Sequence, residues 1–153
     1  MPITQEHPAG EIKSGKLTRQ NISDAGQDIH ASEAVLIPAR SRCLVSTGLV
    51  IHIPHGYVGL IWPRSGLSVR YGLETGAGCI DSGYHGEVMV NLYNHGNEDY
   101  QIEAGARIAQ LLTLPVNLTA YRPVSEFSKT SERGTNGFGS TGIGNEADTH
   151  GLG

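Results

Sequence analysis

The apolar residues of this chain come in runs of strand length, and each run stops at glycine, proline or asparagine. The clearest are RCLVSTGLVIHI from Arg42, GYVGLIW from Gly56, EVMVNLY from Glu87 and RIAQLLTL from Arg107. Their branched and aromatic content suits strands better than helices. An amphipathic helix is conceivable in the last run, but Pro115 closes it early. Only Ser65 to Leu73 has the character of a short helix. The 21 glycines are scattered rather than periodic, as expected for many turns between short strands. The expectation is an all-β fold, a jelly-roll-like barrel with at most one short helix.

A chain of 153 residues suits one domain with a substantial core. Residues 1–127 carry the strand-like runs. Residues 128–153 hold seven glycines and few apolar anchors, and read as a flexible tail. Arg133 and Phe138 stand out there, because a plain spacer has no use for either.

The net charge of −4 disfavours sequence-independent nucleic-acid binding, which depends on basic patches. An anionic substrate then requires a local cluster of arginines or a metal. Cys43 and Cys79 belong to no CxxC or Cys/His cluster, so neither zinc nor a disulfide framework is indicated. Both read as reduced thiols of a cytoplasmic protein. The opening MPITQEHPAG lacks the apolar segment of a signal peptide, and no run approaches the ~20 residues that span a bilayer. No membrane association is expected. The glycosylation matches at Asn21 and Asn117 are therefore read as chance.

Several local matches fail in their context. GEIKSGK, from Gly10, fits the start of a phosphate-binding loop, but Leu17 stands where Ser or Thr should hold magnesium. GFGSTG, from Gly137, fits a dinucleotide fingerprint but has no βαβ unit around it. In HIPH, strand geometry sends His52 and His55 to opposite faces, against a metal pair. Asp81-Ser82-Gly83 matches the aspartic-protease triplet, whose two copies share a proton across a two-fold axis. That fold also needs a later apolar pair followed by glycine, and Leu111-Leu112 is followed by Thr113.

Five segments considered together are far more specific. SDAGQDIHA from Ser23, PRSGL from Pro63, GAGCIDSGYHGE from Gly76, GARIAQL from Gly105 and RGTNGFGSTG from Arg133 occur in that order. The chain resembles the homotrimeric dUTPases, and the resemblance spans Asp24 to Gly142. It implies hydrolysis of dUTP to dUMP and pyrophosphate, with Mg2+ on the triphosphate and sites shared between the chains of a homotrimer. A dCTP deaminase relative is the second enzymatic reading. A dUTPase-like trimer that binds nucleotide and acts through a protein partner is the third, although no protein partner is indicated.

Matched motif by motif, the resemblance implies that Asp81 deprotonates the attacking water, with Arg64 as its catalytic partner on the phosphates. Ser65, Gly66 and Gln110 would hold phosphate. The backbone of Gly78, Cys79 and Ile80 would read uracil, with Met89 lining the same pocket. Tyr84 would lie under the deoxyribose and leave no room for a 2′-hydroxyl. From the tail, Arg133 would grip the γ-phosphate, Phe138 would stack on uracil, and Gly139, Ser140 and Thr141 would donate to phosphates. Asp28 would contact magnesium through a water, and Arg107 would be structural, tying subunits together. Three positions depart from the family pattern: Ala106 replaces a common acid, Cys79 a Val or Thr, and His85 a common Arg. Asn145 to Gly153 extends past the fifth motif without an assigned role.

Overall fold

The computed structural model describes residues 8–142; the extension at 145–153 lies outside them. The chain falls into two compact units, one ending at Leu118 and the other starting at Thr119. In the first, the strands are β1 (Glu11–Ser14), β2 (Leu17–Thr18), β3 (Gln27–His30), β4 (Val35–Ile37), β5 (Arg42–Val45) and β6 (Val50–His52). After β7 (Tyr57–Trp62) comes the one helix among the described residues, α1 (Ser65–Tyr71). Then follow β8 (Leu73–Gly76), β9 (Cys79–Asp81), β10 (Val90–Asn94), β11 (Tyr100–Ile102) and β12 (Arg107–Pro115). The fold is all-β, as expected.

The largest sheet has the order β2-β3-β12-β7-β9 and a second has the order β5-β10-β8. Two-stranded pairs, β1-β6 and β11-β4, complete the unit, and every ladder among the described residues is antiparallel. The nine-residue β12 is the spine, bonded to β3 on one side and β7 on the other. Alternation along the strands makes the core: in β10, Val90, Leu92 and Asn94 are buried, while Asn91 and Tyr93 are only half-buried. Val90 and Leu92 pack with Ile29, Val45, Leu49, Ile61, Ile108 and Leu111 in one apolar cluster. Asn94 is tolerated inside because its amide donates to Ile37 O and Glu98 O while its Oδ1 accepts from Gly96 N–H.

The local matches set aside above have structural explanations. Residues 11–14 of GEIKSGK form β1, paired with β6, so the segment is strand rather than a loop opening a helix. Its Gly15 has φ +80°, and a Cβ there would lie 2.4 Å from Leu49 Cα. α1 begins where expected but stops two residues early, because Gly72 (φ +67°) caps it in the left-handed region. Leu73 then turns into the core as the first residue of β8. No helix among the described residues is long and apolar enough to cross a membrane.

Candidate active site

Strand register brings three of the five motifs onto one line. On β12, Gln110 lies opposite Asp28 of β3 on one side and Trp62 of β7 on the other. Pro63 and Arg64 follow Trp62 immediately, so the first, second and fourth motifs meet at this end of the sheet. They line a cavity of about 490 Å³ that includes Asp28, Arg64, Ser65, Gly66, Arg107 and Gln110. Gln110 is held by its amide, which donates to Pro63 O at 3.0 Å. Gly26 makes room for it: a Cβ there would come within 2.0 Å of Gln110 Oε1.

Asp28 is the electrostatic centre of this cavity. Arg64 Nε donates to its Oδ1 at 3.1 Å, and Arg107 Nη1 to its Oδ2 at 3.4 Å. The Asp28 side chain is only 16% exposed, whereas the two arginines keep 30% and 45% of theirs open. One carboxylate thus pre-orients two guanidiniums that line the cavity, an arrangement suited to a polyanion. Ser65 and Gly66 open α1, where backbone N–H groups have no acceptor within the helix.

The third motif forms a separate cavity of about 280 Å³, lined by Cys79, Ile80, Asp81, Tyr84, Glu87 and Met89 among others. β9 is an edge strand of the large sheet, paired only with β7. Ile80 points into the core, while Cys79 and Asp81 are exposed on the opposite face. Ile61 N–H donates to Gly78 O at 2.8 Å. By the alternation of an antiparallel ladder, the N–H and C=O of Cys79 therefore point to the open edge, available for a base. Gly78 is required for the approach itself, because a Cβ there would lie 2.6 Å from Ile61 O. The main chain then turns back, with Tyr84 N–H donating to Asp81 O at 3.0 Å.

The second unit is a succession of turns over residues 131–142. Asn136 N–H donates to Arg133 O, Ser140 N–H to Gly137 O and Gly142 N–H to Gly139 O. Arg133 Nε donates to Asn136 O, and Phe138 is fully exposed with φ +49°. A bare aromatic ring and an arginine on a glycine-rich segment leave apolar and cationic contacts unused within the unit.

The structure therefore groups the expected residues into two cavities on the first unit and a turn-rich second unit, with Gly78 just before β9 lining neither cavity. Two features escaped the sequence reading. Arg107, read as a structural tie between subunits, contacts Asp28 of its own chain. Glu87 received no role, yet its carboxylate accepts from Ser46 Oγ and from the Thr47 and Gly48 N–H groups. Its place in GYHGE was the only available signal. The departures are accommodated: Ala106 packs against the core within a backbone-bonded turn, and His85 Nε2 lies 3.0 Å from His52 Nδ1. Among the described residues no group of three or more His, Cys, Asp or Glu could cage a metal.

A family model described as dUTPase matches residues 13–142. The deoxyuridine 5′-triphosphate nucleotidohydrolase of Candida albicans is 45% identical, over 88% of this chain and 83% of its own. Its namesake in Saccharomyces cerevisiae is 44% identical, over 82% and 85%. The Staphylococcus bacteriophage 80alpha dUTPase with dUpNHpp superposes with a TM-score of 0.83 at 31% identity, covering 90% of this chain and 100% of that one. Motif order, sheet register and these similarities agree: the chain belongs to the dUTPase family.

Proposed function

We propose that the chain hydrolyses dUTP to dUMP and pyrophosphate at a site assembled from three copies of itself. The observation that carries this reading is β9, an edge strand that offers backbone to a base and places an exposed carboxylate, Asp81, two residues beyond Cys79. The names of the relatives, deoxyuridine 5′-triphosphate nucleotidohydrolases, point the same way.

In this reading Asp81 accepts a hydrogen bond from a water and takes its proton as the oxygen attacks the α-phosphorus. The bond between that phosphorus and the bridging oxygen breaks, and pyrophosphate leaves. Arg64, Ser65, Gly66 and Gln110 hold the phosphates and meet the charge that develops on their oxygens. Cys79, set between Gly78 and Ile80 in the ladder with β7, reads uracil through its open backbone, Met89 closes the pocket, and Tyr84 excludes a 2′-hydroxyl. The tail, residues 128–153 beyond a core of 1–127, closes over bound substrate. It brings Arg133 to the γ-phosphate, Phe138 to uracil, and Gly139, Ser140 and Thr141 to the phosphates.

The donor set fits magnesium of a particular kind. With no cage of acids among the described residues, the ion would be held through phosphate oxygens and waters, and Asp28 would reach it through a water. Mg2+ so held supplies charge neutralisation across the triphosphate. The chain's own residues orient, exclude water and move the proton. Two free thiols fit a cytoplasmic setting.

Release of pyrophosphate from dUTP, dCTP, dTTP and UTP tests the proposal, with ammonia followed in the dCTP reaction. Turnover of dUTP alone is expected. Ammonia from dCTP would move the chain to the deaminase branch. Binding of dUTP without turnover would leave a nucleotide sensor acting through a protein partner.

A further inference from the structure

We propose that Glu87 is a positioning residue for sugar discrimination: its carboxylate, fixed in the turn at 46–48, holds the carbonyl that orients the Tyr84 ring. This rests on the reading above, in which Tyr84 lies under the deoxyribose. The Tyr84 ring is 45% exposed and so is not held by burial. Its hydroxyl donates to the backbone carbonyl of Glu87 at 2.7 Å. The ring crosses Gly86, where a Cβ would lie 2.6 Å from the Tyr84 hydroxyl. Tyr84 is therefore aimed by the backbone of residues 86 and 87, and whatever fixes Glu87 fixes the ring.

Glu87 is fixed from a distant part of the chain. One carboxylate oxygen, Oε1, accepts from Ser46 Oγ at 2.5 Å, Thr47 N–H at 3.0 Å and Gly48 N–H at 2.8 Å. The adjoining residue locks the same two segments together. Val88 N–H donates to Leu49 O at 2.7 Å, and Thr47 Oγ1 donates to Val88 O. Leu49 and Val88 are both buried in the core. A rigid route thus runs from the core through residues 46–49 and Glu87 to an otherwise loose aromatic ring. The Ser46 hydroxyl first, then the Gly48 and Thr47 N–H groups, hold the Glu87 carboxyl below its ordinary value, so the ionised acceptor is the working form.

A steric filter depends on where its wall stands. A 2′-hydroxyl adds a single heavy atom, and a ring free to swing by about an ångström admits it. Releasing Glu87 should therefore relax the choice between dUTP and UTP more than it slows dUTP turnover.

The test compares kcat/KM for dUTP and UTP in the wild type, Glu87→Ala and Glu87→Gln. Glutamine keeps an oxygen acceptor for the same donors and should hold the dUTP:UTP ratio within about threefold. Alanine should lower the ratio at least ~10-fold, with the larger change on UTP. Should Glu87→Ala not fold, Ser46→Ala removes one donor from the same oxygen and should lower the ratio in the same direction. An alanine variant, Glu87→Ala or Ser46→Ala in its place, that discriminates like the wild type overturns the proposal. So does one that loses both activities in equal proportion. A wild type without preference for dUTP over UTP would overturn the functional reading and this inference together. A wild type with the preference and a Glu87→Ala that keeps it would overturn this inference alone.

Discussion

Asp81 and Arg64 stand toward opposite ends of β7. Asp81 lies opposite Val58, near the start of that strand, whereas Arg64 follows Trp62 at its end. The four steps from Val58 to Trp62 alone cover about 13 Å. Arg64 reaches across β12 to Asp28 on β3, while Asp81 sits on β9, on the other side of β7. On the proposed reading, that separation leaves one α-phosphate to meet Asp81 of one chain and Arg64 of another.

Complementation between inactive variants follows from that separation. Asp81→Asn and Arg64→Ala should each be nearly inactive alone. Unfolded together and reassembled at equal amounts, they should regain activity at about a quarter of the sites, those where the intact Asp81 and the intact Arg64 meet. Turnover of the mixture against each parent is the measurement. A mixture no better than its parents would mean that each chain forms its own site.

Asp81→Asn separates chemistry from binding. The amide is nearly isosteric but cannot take a proton from water, so turnover should fall on the order of 10²-fold or more while dUTP affinity stays close to wild type. Single-turnover rates and nucleotide titration distinguish the two. Unchanged turnover would remove Asp81 from the role of base.

Removal of the tail tests its separate standing. Deleting residues after Glu132 leaves untouched the strands and both cavities of the first unit. Thermal stability and assembly should therefore persist, with most of the activity lost. Sedimentation and turnover check the two halves, and full activity in the truncated chain would exclude a closing role.

Much of this architecture was legible in the sequence where alternation is strong. β10, with Val90 and Leu92 inward and Asn91 and Tyr93 outward of them, announces itself. β1 does not: all four of its residues are exposed, so no apolar period marks it, and the segment looked like a decoy loop. β9 hides differently, since only Ile80 of its three residues is buried. The site was legible as an ordered set of motifs but not as contacts. Arg64 and Asp28 are 36 residues apart, and Glu87 bonds Ser46 from 41 residues away. No local pattern carries such pairings, because the sheet register that creates them depends on the whole core.

Gly78→Ala probes why β9 can lie where it does. The added Cβ would stand 2.6 Å from Ile61 O, a backbone atom that cannot swing aside. Overpacking of this kind costs about 1–3 kcal/mol. Gly83→Ala is the control, with nothing within 4 Å of its Cβ, and should stay within about 0.5 kcal/mol of wild type. Denaturant midpoints measure both. Equal stability of the two variants would mean that β9 is free to shift outward.

Glu87 makes the stability of the first unit depend on pH in a defined direction. Its carboxyl is held below the ordinary 4.5, by Ser46 first and then by the Gly48 and Thr47 N–H groups. A carboxylate depressed in the folded state contributes stability that is fully present above its unfolded value. That contribution is lost as pH falls through the folded value. Wild type should therefore be more stable than Glu87→Gln at neutral pH. The gap should hold down to about pH 5 and then narrow as the carboxyl protonates. Urea midpoints of the two proteins between pH 7 and 3 give the curve. A gap that does not change across this range would mean that the Glu87 charge adds nothing to its three hydrogen bonds.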